Sequence, residues 1–163
     1  MSQRRLYDGG SGMISHERFP NPRRKCILVV DDDQQFRRAM KRFLSEHGYY
    51  VVEAEDGEEA IRLCGRVSFS LILMDVRMPN VDGLVAARLI RDSLFEQAPI
   101  VAVSANPEVE RLVSAPDSAF DGFIPKPVDP DQLLKIIDSL TLKAILEPET
   151  KNFRLTPKHR ILT

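Results

Sequence analysis

The chain has 163 residues, of which 43% are hydrophobic and 29% charged, a composition that is ordinary for one soluble globular domain. Its net charge of −1 conceals a division, because residues 1–25 carry six basic and two acidic residues, whereas residues 26–146 carry 13 and 20. The acidic central region argues against a nucleic-acid-binding groove. No apolar stretch approaches the roughly 20 residues that span a bilayer, which argues against a membrane protein.

The two cysteines, Cys26 and Cys64, are too few for a disulfide framework, and both lie within apolar patterns. We predict that they are buried free thiols in a cytoplasmic protein. The N-terminus has basic residues but no apolar run behind them, so we predict no signal peptide.

The chain divides into three parts. Residues 1–24 contain glycines and prolines without sustained periodicity, which predicts a flexible basic leader. Residues 25–141 alternate between strand and helix patterns and are predicted to form one domain. Residues 142–163 are predicted to form a flexible tail, too short for a DNA-binding or enzymatic output domain.

The first of these alternating patterns is a set of five short strand candidates, of which the first and third include unbroken apolar runs typical of buried strands. The predicted strands are Cys26–Val30, Tyr50–Ala54, Leu71–Met74, Ile100–Ser104 and Phe120–Ile124.

Each predicted strand is followed by a segment with helical spacing. The first helix ends at Gly48, and the second opens near Asp56 with Glu59 at the capping-box distance. The remaining helices are predicted to open at Asp82-Gly83, after Asn106-Pro107 and at Asp129-Pro130. The fourth is predicted to be short or irregular, because apolar residues are sparse after Val113 and Pro116 interrupts the segment.

Five successive βα units predict an α/β fold with a five-stranded parallel sheet and helices on both faces, a doubly wound (βα)5 architecture. Right-handed crossovers leave few arrangements, and we predict the flavodoxin-like strand order 2-1-3-4-5. In that order the first and third strands lie side by side.

Acidic residues follow these two neighbouring strands. Asp31 and Asp32 follow the first strand, and Asp75 follows the third. Carboxylates that converge repel one another unless a divalent cation lies among them, and their oxygens suit Mg²⁺. Asp33 and Asp82 we interpret instead as caps of the first and third helices.

The same edge of the sheet receives a hydroxyl from Ser104 and an ammonium from Lys126. This set fits a carboxylate nucleophile that attacks phosphorus, with Asp75 as the candidate nucleophile. Asp32, Asp75 and the backbone carbonyl of Arg77 are the predicted Mg²⁺ ligands, with Asp31 acting directly or through water. Lys126 and Ser104 are predicted to contact phosphoryl oxygens.

These residues carry a resemblance to a known family. The pair Asp31-Asp32, the segment Met74–Gly83 (MDVRMPNVDG), Ser104-Ala105 and Lys126-Pro127 resemble the receiver (response-regulator) domains of two-component signalling. The resemblance covers about residues 25–141 and is to stand-alone, chemotaxis-regulator-like receivers. It implies that Asp75 accepts a phosphoryl group from a histidine kinase or phosphotransfer protein, with Asp31, Asp32 and Asp75 binding Mg²⁺.

The resemblance also implies a switch and an output. Ser104 matches the switch hydroxyl, and Phe123 matches the switch aromatic, which turns inward on activation in this family. A downstream protein partner is expected on the face of the fourth helix, fifth strand and fifth helix, where a homodimer can also form. Such a domain is no enzyme beyond promoting its own phosphorylation and dephosphorylation.

Some interpretations stay open from the sequence. Phe123 can be an ordinary core residue. Arg77 is either merely exposed or shields a phosphoaspartate from water. The competing functions are a phosphatase with an aspartyl nucleophile, and a non-phosphorylated scaffold or receiver module severed from a larger kinase. The phosphatase fits less well, because such enzymes usually place the nucleophile after the first strand.

Overall fold

The computed structural model describes residues 25–94 and 98–146. The predicted leader at residues 1–24 and the tail from residue 147 onward lie outside these residues. The strands are β1 (Cys26–Val30), β2 (Tyr50–Ala54), β3 (Leu71–Asp75), β4 (Ile100–Ser104) and β5 (Gly122–Pro125). The helices are α1 (Gln34–Glu46), α2 (Gly57–Cys64), α3 (Gly83–Leu94), α4 (Glu108–Val113) and α5 (Pro130–Leu146).

The five strands form one parallel sheet in the order β2-β1-β3-β4-β5, which confirms the predicted fold class and strand order. In the register of β1 and β3, Val30 lies opposite Met74. The residues that follow these two positions, Asp31 and Asp75, therefore emerge at the same edge of the sheet.

The core lies on both faces of the sheet, because β1, β3 and β4 are buried along their whole length. Alternate side chains of each strand point to opposite faces. One face packs against α2, α3 and α4 through residues such as Ala60, Ile90 and Val109. The other face packs against α1 and α5 through Leu44 and Ile137. Both cysteines are buried free thiols, as predicted.

Aspartate side chains begin two of the helices next to the sheet edge. The Asp33 Oδ1 atom accepts hydrogen bonds from the backbone N–H groups of Gln35 and Phe36, at 2.8 and 3.3 Å. The Asp82 Oδ1 atom accepts one from Leu84 at 2.7 Å. These contacts confirm the predicted caps of α1 and α3.

The fifth strand was predicted two residues too early, because β5 begins at Gly122 rather than at Phe120. Phe120 is buried in the core next to α4. The Asp121 carboxylate accepts a hydrogen bond from the backbone N–H of Ile100 at 2.9 Å. The Asp121 backbone N–H also donates to the Ile100 carbonyl at 2.7 Å, and the paired register with β4 runs from Gly122, opposite Val101.

The last two helices differ in length. Helix α4 contains six residues, in agreement with the expectation of a short helix. Helix α5 continues to Leu146, five residues beyond the predicted end of the domain at residue 141 and into the predicted tail. Among residues 25–94 and 98–146, no helix is both long enough and apolar enough to cross a bilayer. The cytoplasmic location stays a prediction.

Candidate functional site

Three carboxylates meet at the edge of the sheet where β1 and β3 end. One oxygen atom from each of Asp31, Asp32 and Asp75 lies within 4.8 Å of the other two. Asp31 is fully buried, Asp75 is 8% exposed, and Asp32 is exposed. The structure thus brings together the three acids that the sequence predicts as metal ligands, and Asp32 faces the solvent.

Backbone hydrogen bonds fix the position of Asp31. Its backbone N–H donates to the Ala54 carbonyl at 3.2 Å, which extends the pairing of β1 with β2. Its Oδ1 atom accepts a hydrogen bond from the Asp33 N–H at 2.9 Å. The Arg37 guanidinium donates to the Asp31 carbonyl oxygen at 2.6 Å. Arg37 is a supporting residue that the sequence interpretation missed.

Asp75 is held by the loop that follows it and by the start of α3. Its Oδ1 atom accepts a hydrogen bond from the Arg77 N–H at 3.0 Å. The Gly83 N–H donates to the Val76 carbonyl at 2.9 Å. A Cβ atom at position 83 would lie 2.1 Å from the Asp75 carbonyl oxygen, so only glycine fits there. The sequence interpretation assigned Gly83 to a turn and missed this close approach.

Lys126 connects the two buried acids. Its Nζ atom lies 2.6 Å from Asp31 Oδ2 and 2.9 Å from Asp75 Oδ2, so the ammonium donates to both carboxylates. The Lys126 backbone N–H donates to the Ser104 carbonyl at 2.9 Å, which joins the ends of β4 and β5. The ammonium also lies over the Phe36 ring, 4.4 Å from its centroid.

Burial and neighbouring charges raise the pKa values of both Asp31 and Lys126. Burial raises the pKa of Asp31, although the hydrogen bonds from Lys126 and from the Asp33 N–H oppose the shift. Burial disfavours the charged form of Lys126, but the hydrogen bonds and charges of Asp31 and Asp75 outweigh it and raise the Lys126 pKa. Lys126 is therefore an ammonium at neutral pH. A further positive charge beside Asp31 would favour the ionised form of its carboxylate.

Ser104 and Phe123 lie on neighbouring strands near the acids. Ser104 is 3% exposed, and its Oγ atom accepts a hydrogen bond from the Asn106 N–H at 3.2 Å. Phe123 lies opposite Ala102 in β4 and is partly buried against the core on the side of α4. The switch roles of Ser104 and Phe123 stay predictions, as does the role of the Arg77 carbonyl in metal binding.

An open cavity of about 320 Å³ adjoins the segment that follows Asp75, and the sequence did not reveal it. Residues from the ends of β3 and β4 and from α3 and α4 line it: Val76, Arg77, Asp82, Leu84, Asn106, Glu108, Val109 and Leu112. The wall includes Val76 and Arg77, which follow Asp75 in the chain, but Asp75 and Lys126 themselves do not line the cavity.

Residues 27–138 match the family model of the response regulator receiver domain. The chain belongs to this family. The match spans every strand of the sheet, and it includes all of the acids, the hydroxyl and the lysine described above. The predicted family resemblance is thereby confirmed.

Curated relatives contain this receiver domain as part of longer proteins. The CAI-1 autoinducer sensor kinase/phosphatase CqsS of Vibrio cholerae is 42% identical over 110 residues, which cover 66% of this chain and 16% of CqsS. Protein PetR of Rhodobacter capsulatus is 32% identical over 133 residues, which cover 82% of this chain and 53% of PetR. The chain therefore spans about half the length of PetR and far less of CqsS.

Solved receiver structures share the fold over almost their whole length. A CheY-like receiver domain protein from Methanospirillum hungatei has a TM-score of 0.71 at 27% identity, covering 76% of this chain and 98% of that one. The response regulator TrrA of Thermotoga maritima, solved in complex with Mg²⁺-BeF, has a TM-score of 0.63 at 32% identity. That likeness covers 71% of this chain and 98% of TrrA.

Proposed function

We propose that this receiver domain accepts a phosphoryl group on Asp75 from a histidine kinase or a histidine phosphotransfer protein. The observation that carries the proposal is the contact between Lys126 and Asp75 within a group of three acids. A carboxylate and a phosphoryl group are both negatively charged, so phosphoryl transfer to a carboxylate requires positive groups that offset this repulsion. Lys126 supplies one such group beside Asp75.

The donor set fits Mg²⁺. Its members are hard carboxylate oxygens that already lie within 4.8 Å of one another, and one of the three acids is open to solvent. Asp31, Asp32, Asp75 and the backbone carbonyl of Arg77 are the proposed ligands. Bound Mg²⁺ would neutralise the acids and polarise the incoming phosphoryl oxygens. The TrrA complex with Mg²⁺-BeF supports this assignment by similarity.

The chain's own residues then have defined tasks. An Asp75 carboxylate oxygen attacks the phosphorus atom, and the bond from phosphorus to the histidine nitrogen of the donor breaks as the new oxygen–phosphorus bond forms. The departing nitrogen keeps the electron pair. Lys126 pairs with one phosphoryl oxygen, and the Ser104 hydroxyl donates to another. The product is an acyl phosphate on Asp75.

The same step can act as a switch. A phosphoryl group on Asp75 adds negative charge and acceptor oxygens beside Ser104 and Lys126. Movement of Ser104 toward the phosphoryl group would free space for Phe123 to turn inward. That turn would repack the face of α4, β5 and α5, the proposed site for a downstream protein partner or a second copy of the chain.

Incubation of the full chain with Mg²⁺ and acetyl phosphate, followed by intact mass measurement, tests the proposal. We expect the gain of one phosphoryl group in the wild type and none in Asp75→Asn. Asp33→Asn is the matched control, because it makes the same change at a helix cap and should still be phosphorylated. A wild type that shows no Mg²⁺-dependent gain in mass would overturn the proposal and favour the non-phosphorylated scaffold.

A second candidate is a receiver module that acts within a larger sensor kinase. The observation that favours it is the 42% identity to a segment that makes up only 16% of the sensor kinase CqsS. The two candidates differ in the phosphoryl donor. A receiver module of a kinase should accept the phosphoryl group fastest from the kinase portion encoded next to it, whereas a separate regulator should accept it from a distinct kinase protein.

A further inference from the structure

The Phe36 ring lies against the ammonium of Lys126. Phe36 is in the first turn of α1, directly after the Asp33 cap, and its side chain is partly buried against the core shared with α5. The Lys126 Nζ atom is 4.4 Å from the ring centroid, inside the range of about 6 Å over which a cation is attracted to an aromatic face.

The other contacts of the Lys126 ammonium must change during the proposed reaction. Its two carboxylate partners, Asp31 and Asp75, are also proposed metal ligands, and Asp75 is the acceptor itself. The ammonium has three N–H donors and uses two of them for these acids, so the third can meet a phosphoryl oxygen. The hydrogen bond to Asp75 weakens once that carboxylate loses its charge in the acyl phosphate. The aromatic ring takes no part in metal or phosphoryl binding, so its contact with the ammonium can persist throughout.

We propose that Phe36 is a positioning residue for Lys126, whose ring face holds the ammonium beside Asp75 while its hydrogen bonding shifts from the Asp75 carboxylate toward a phosphoryl oxygen. The effect on phosphorylation rests on the proposed function. The contact between the Phe36 ring and the Lys126 ammonium does not depend on that function, because it is present without a phosphoryl group.

Three variants of the full chain separate positioning from packing. Phe36→Leu keeps an apolar side chain but removes the ring face, and Phe36→Tyr restores the ring. Phe43→Leu is the matched control, because Phe43 is also on α1 and packs against the same core, while its ring contacts His47 at 4.4 Å between centroids.

The first measurement is the rate of phosphorylation by acetyl phosphate at saturating Mg²⁺. We expect Phe36→Leu to slow the reaction by about two- to fivefold, the effect of losing one partly exposed cation–aromatic contact in the transition state. Phe36→Tyr and Phe43→Leu should react at close to the wild-type rate. Equal slowing in Phe36→Leu and Phe43→Leu would overturn the proposal, because it would show a general packing effect.

The second measurement is the proton NMR shift of the Lys126 ε-methylene group, which needs no phosphorylation. The Phe36 ring current should move this signal upfield in the wild type and in Phe36→Tyr, and the displacement should disappear in Phe36→Leu. An unchanged signal in Phe36→Leu would overturn the contact. A wild type that takes no phosphoryl group would instead overturn the proposed function, and the NMR shift would still decide whether the ring holds the lysine.

Discussion

At the scale of single residues, the close approach of Gly83 to Asp75 has a direct consequence for stability. The nearest atoms to a Cβ at position 83 are backbone atoms of Asp75 and Val76, at 2.1 and 2.8 Å, and backbone cannot move aside as a flexible side chain can. We expect Gly83→Ala to lower the free energy of unfolding by about 1–3 kcal/mol and to slow phosphorylation, because the end of β3 must shift. Urea unfolding measures the first effect.

Gly65→Ala is the control for this prediction. Gly65 has an ordinary φ of −71°, and a Cβ there would lie no closer than 3.6 Å to its neighbours. The free energy of unfolding of the Gly65→Ala variant should stay within about 0.5 kcal/mol of the wild-type value. Equal losses in the two variants would show that the contact at Gly83 has no special role.

Burial of Asp31 predicts a dependence of stability on pH. Because the Asp31 pKa is raised in the folded chain, the folded state binds this proton more tightly than the unfolded state does. The ionised Asp31 side chain therefore lowers the free energy of unfolding at neutral pH, and this cost is absent below the unfolded pKa of about 3.9. In Mg²⁺-free buffer we expect Asp31→Asn to be more stable than the wild type at neutral pH.

This advantage of Asp31→Asn should shrink as the pH falls through the folded pKa of Asp31, where the wild-type side chain takes up its proton. Asparagine can still accept a hydrogen bond from Lys126, so the variant removes charge rather than the contact. Urea unfolding at a series of pH values measures the difference. The exposed Asp32→Asn should give a smaller change, and a difference that grows on acidification would contradict the interpretation.

At the scale of elements, Asp33 shows how a helix start and a metal site can be told apart. Its carboxylate accepts from two backbone N–H groups at the start of α1. We expect Asp33→Ala to cost about 1 kcal/mol of stability, with phosphorylation retained. Asparagine is an equally good cap, so Asp33→Asn should cost little. Loss of Mg²⁺ binding in Asp33→Asn would assign this residue to the metal site instead.

The elements that the sequence predicted correctly are those with local signals. Four of the five strands began where predicted, because each contains consecutive apolar residues, and β1, β3 and β4 are buried along their whole length. The cap of α2 was equally local, since the Asp56 side chain accepts from the Glu59 N–H three residues on, at 2.8 Å. The site acids followed from the same signals, because strand order alone brings Asp31 and Asp75 together.

What the sequence did not reveal depends on contacts between distant elements. The residue before β5, Asp121, accepts a hydrogen bond from the Ile100 N–H with its carboxylate and forms an ion pair with Arg91 of α3. No local sequence pattern predicts a contact between residues that lie so far apart in the chain. The same holds for the ring of Phe36 under Lys126, which needs both the helix direction and the position of β5. Helical periodicity identified Phe36 only as an apolar residue.

At the scale of the whole molecule, the proposed metal site predicts a coupling between Mg²⁺ binding and stability. A ligand that binds only the folded state stabilises it by about 1.4 kcal/mol when its free concentration is ten times the dissociation constant. We expect Mg²⁺ to raise the free energy of unfolding by this amount in the wild type and by much less in Asp32→Ala. Asp92→Ala, which removes an exposed acid from α3, should respond like the wild type.

The measurement is urea unfolding across a Mg²⁺ series at constant ionic strength, so that general screening is held fixed. An equal gain in the wild type and Asp32→Ala would show that the stabilising ion binds elsewhere on the chain.

Lys126 directly follows β5, the last strand among the described residues, and this position has a consequence for the chain during its synthesis. Lys126 is 95 residues from Asp31 and 51 from Asp75, and it reaches them only after β5 has joined the edge of the sheet. A nascent chain that has emerged only as far as β4 carries Asp31 and Asp75 but lacks their positive counterpart. On the proposed function, we therefore expect a chain that lacks β5 and Lys126 to be a poor phosphoryl acceptor.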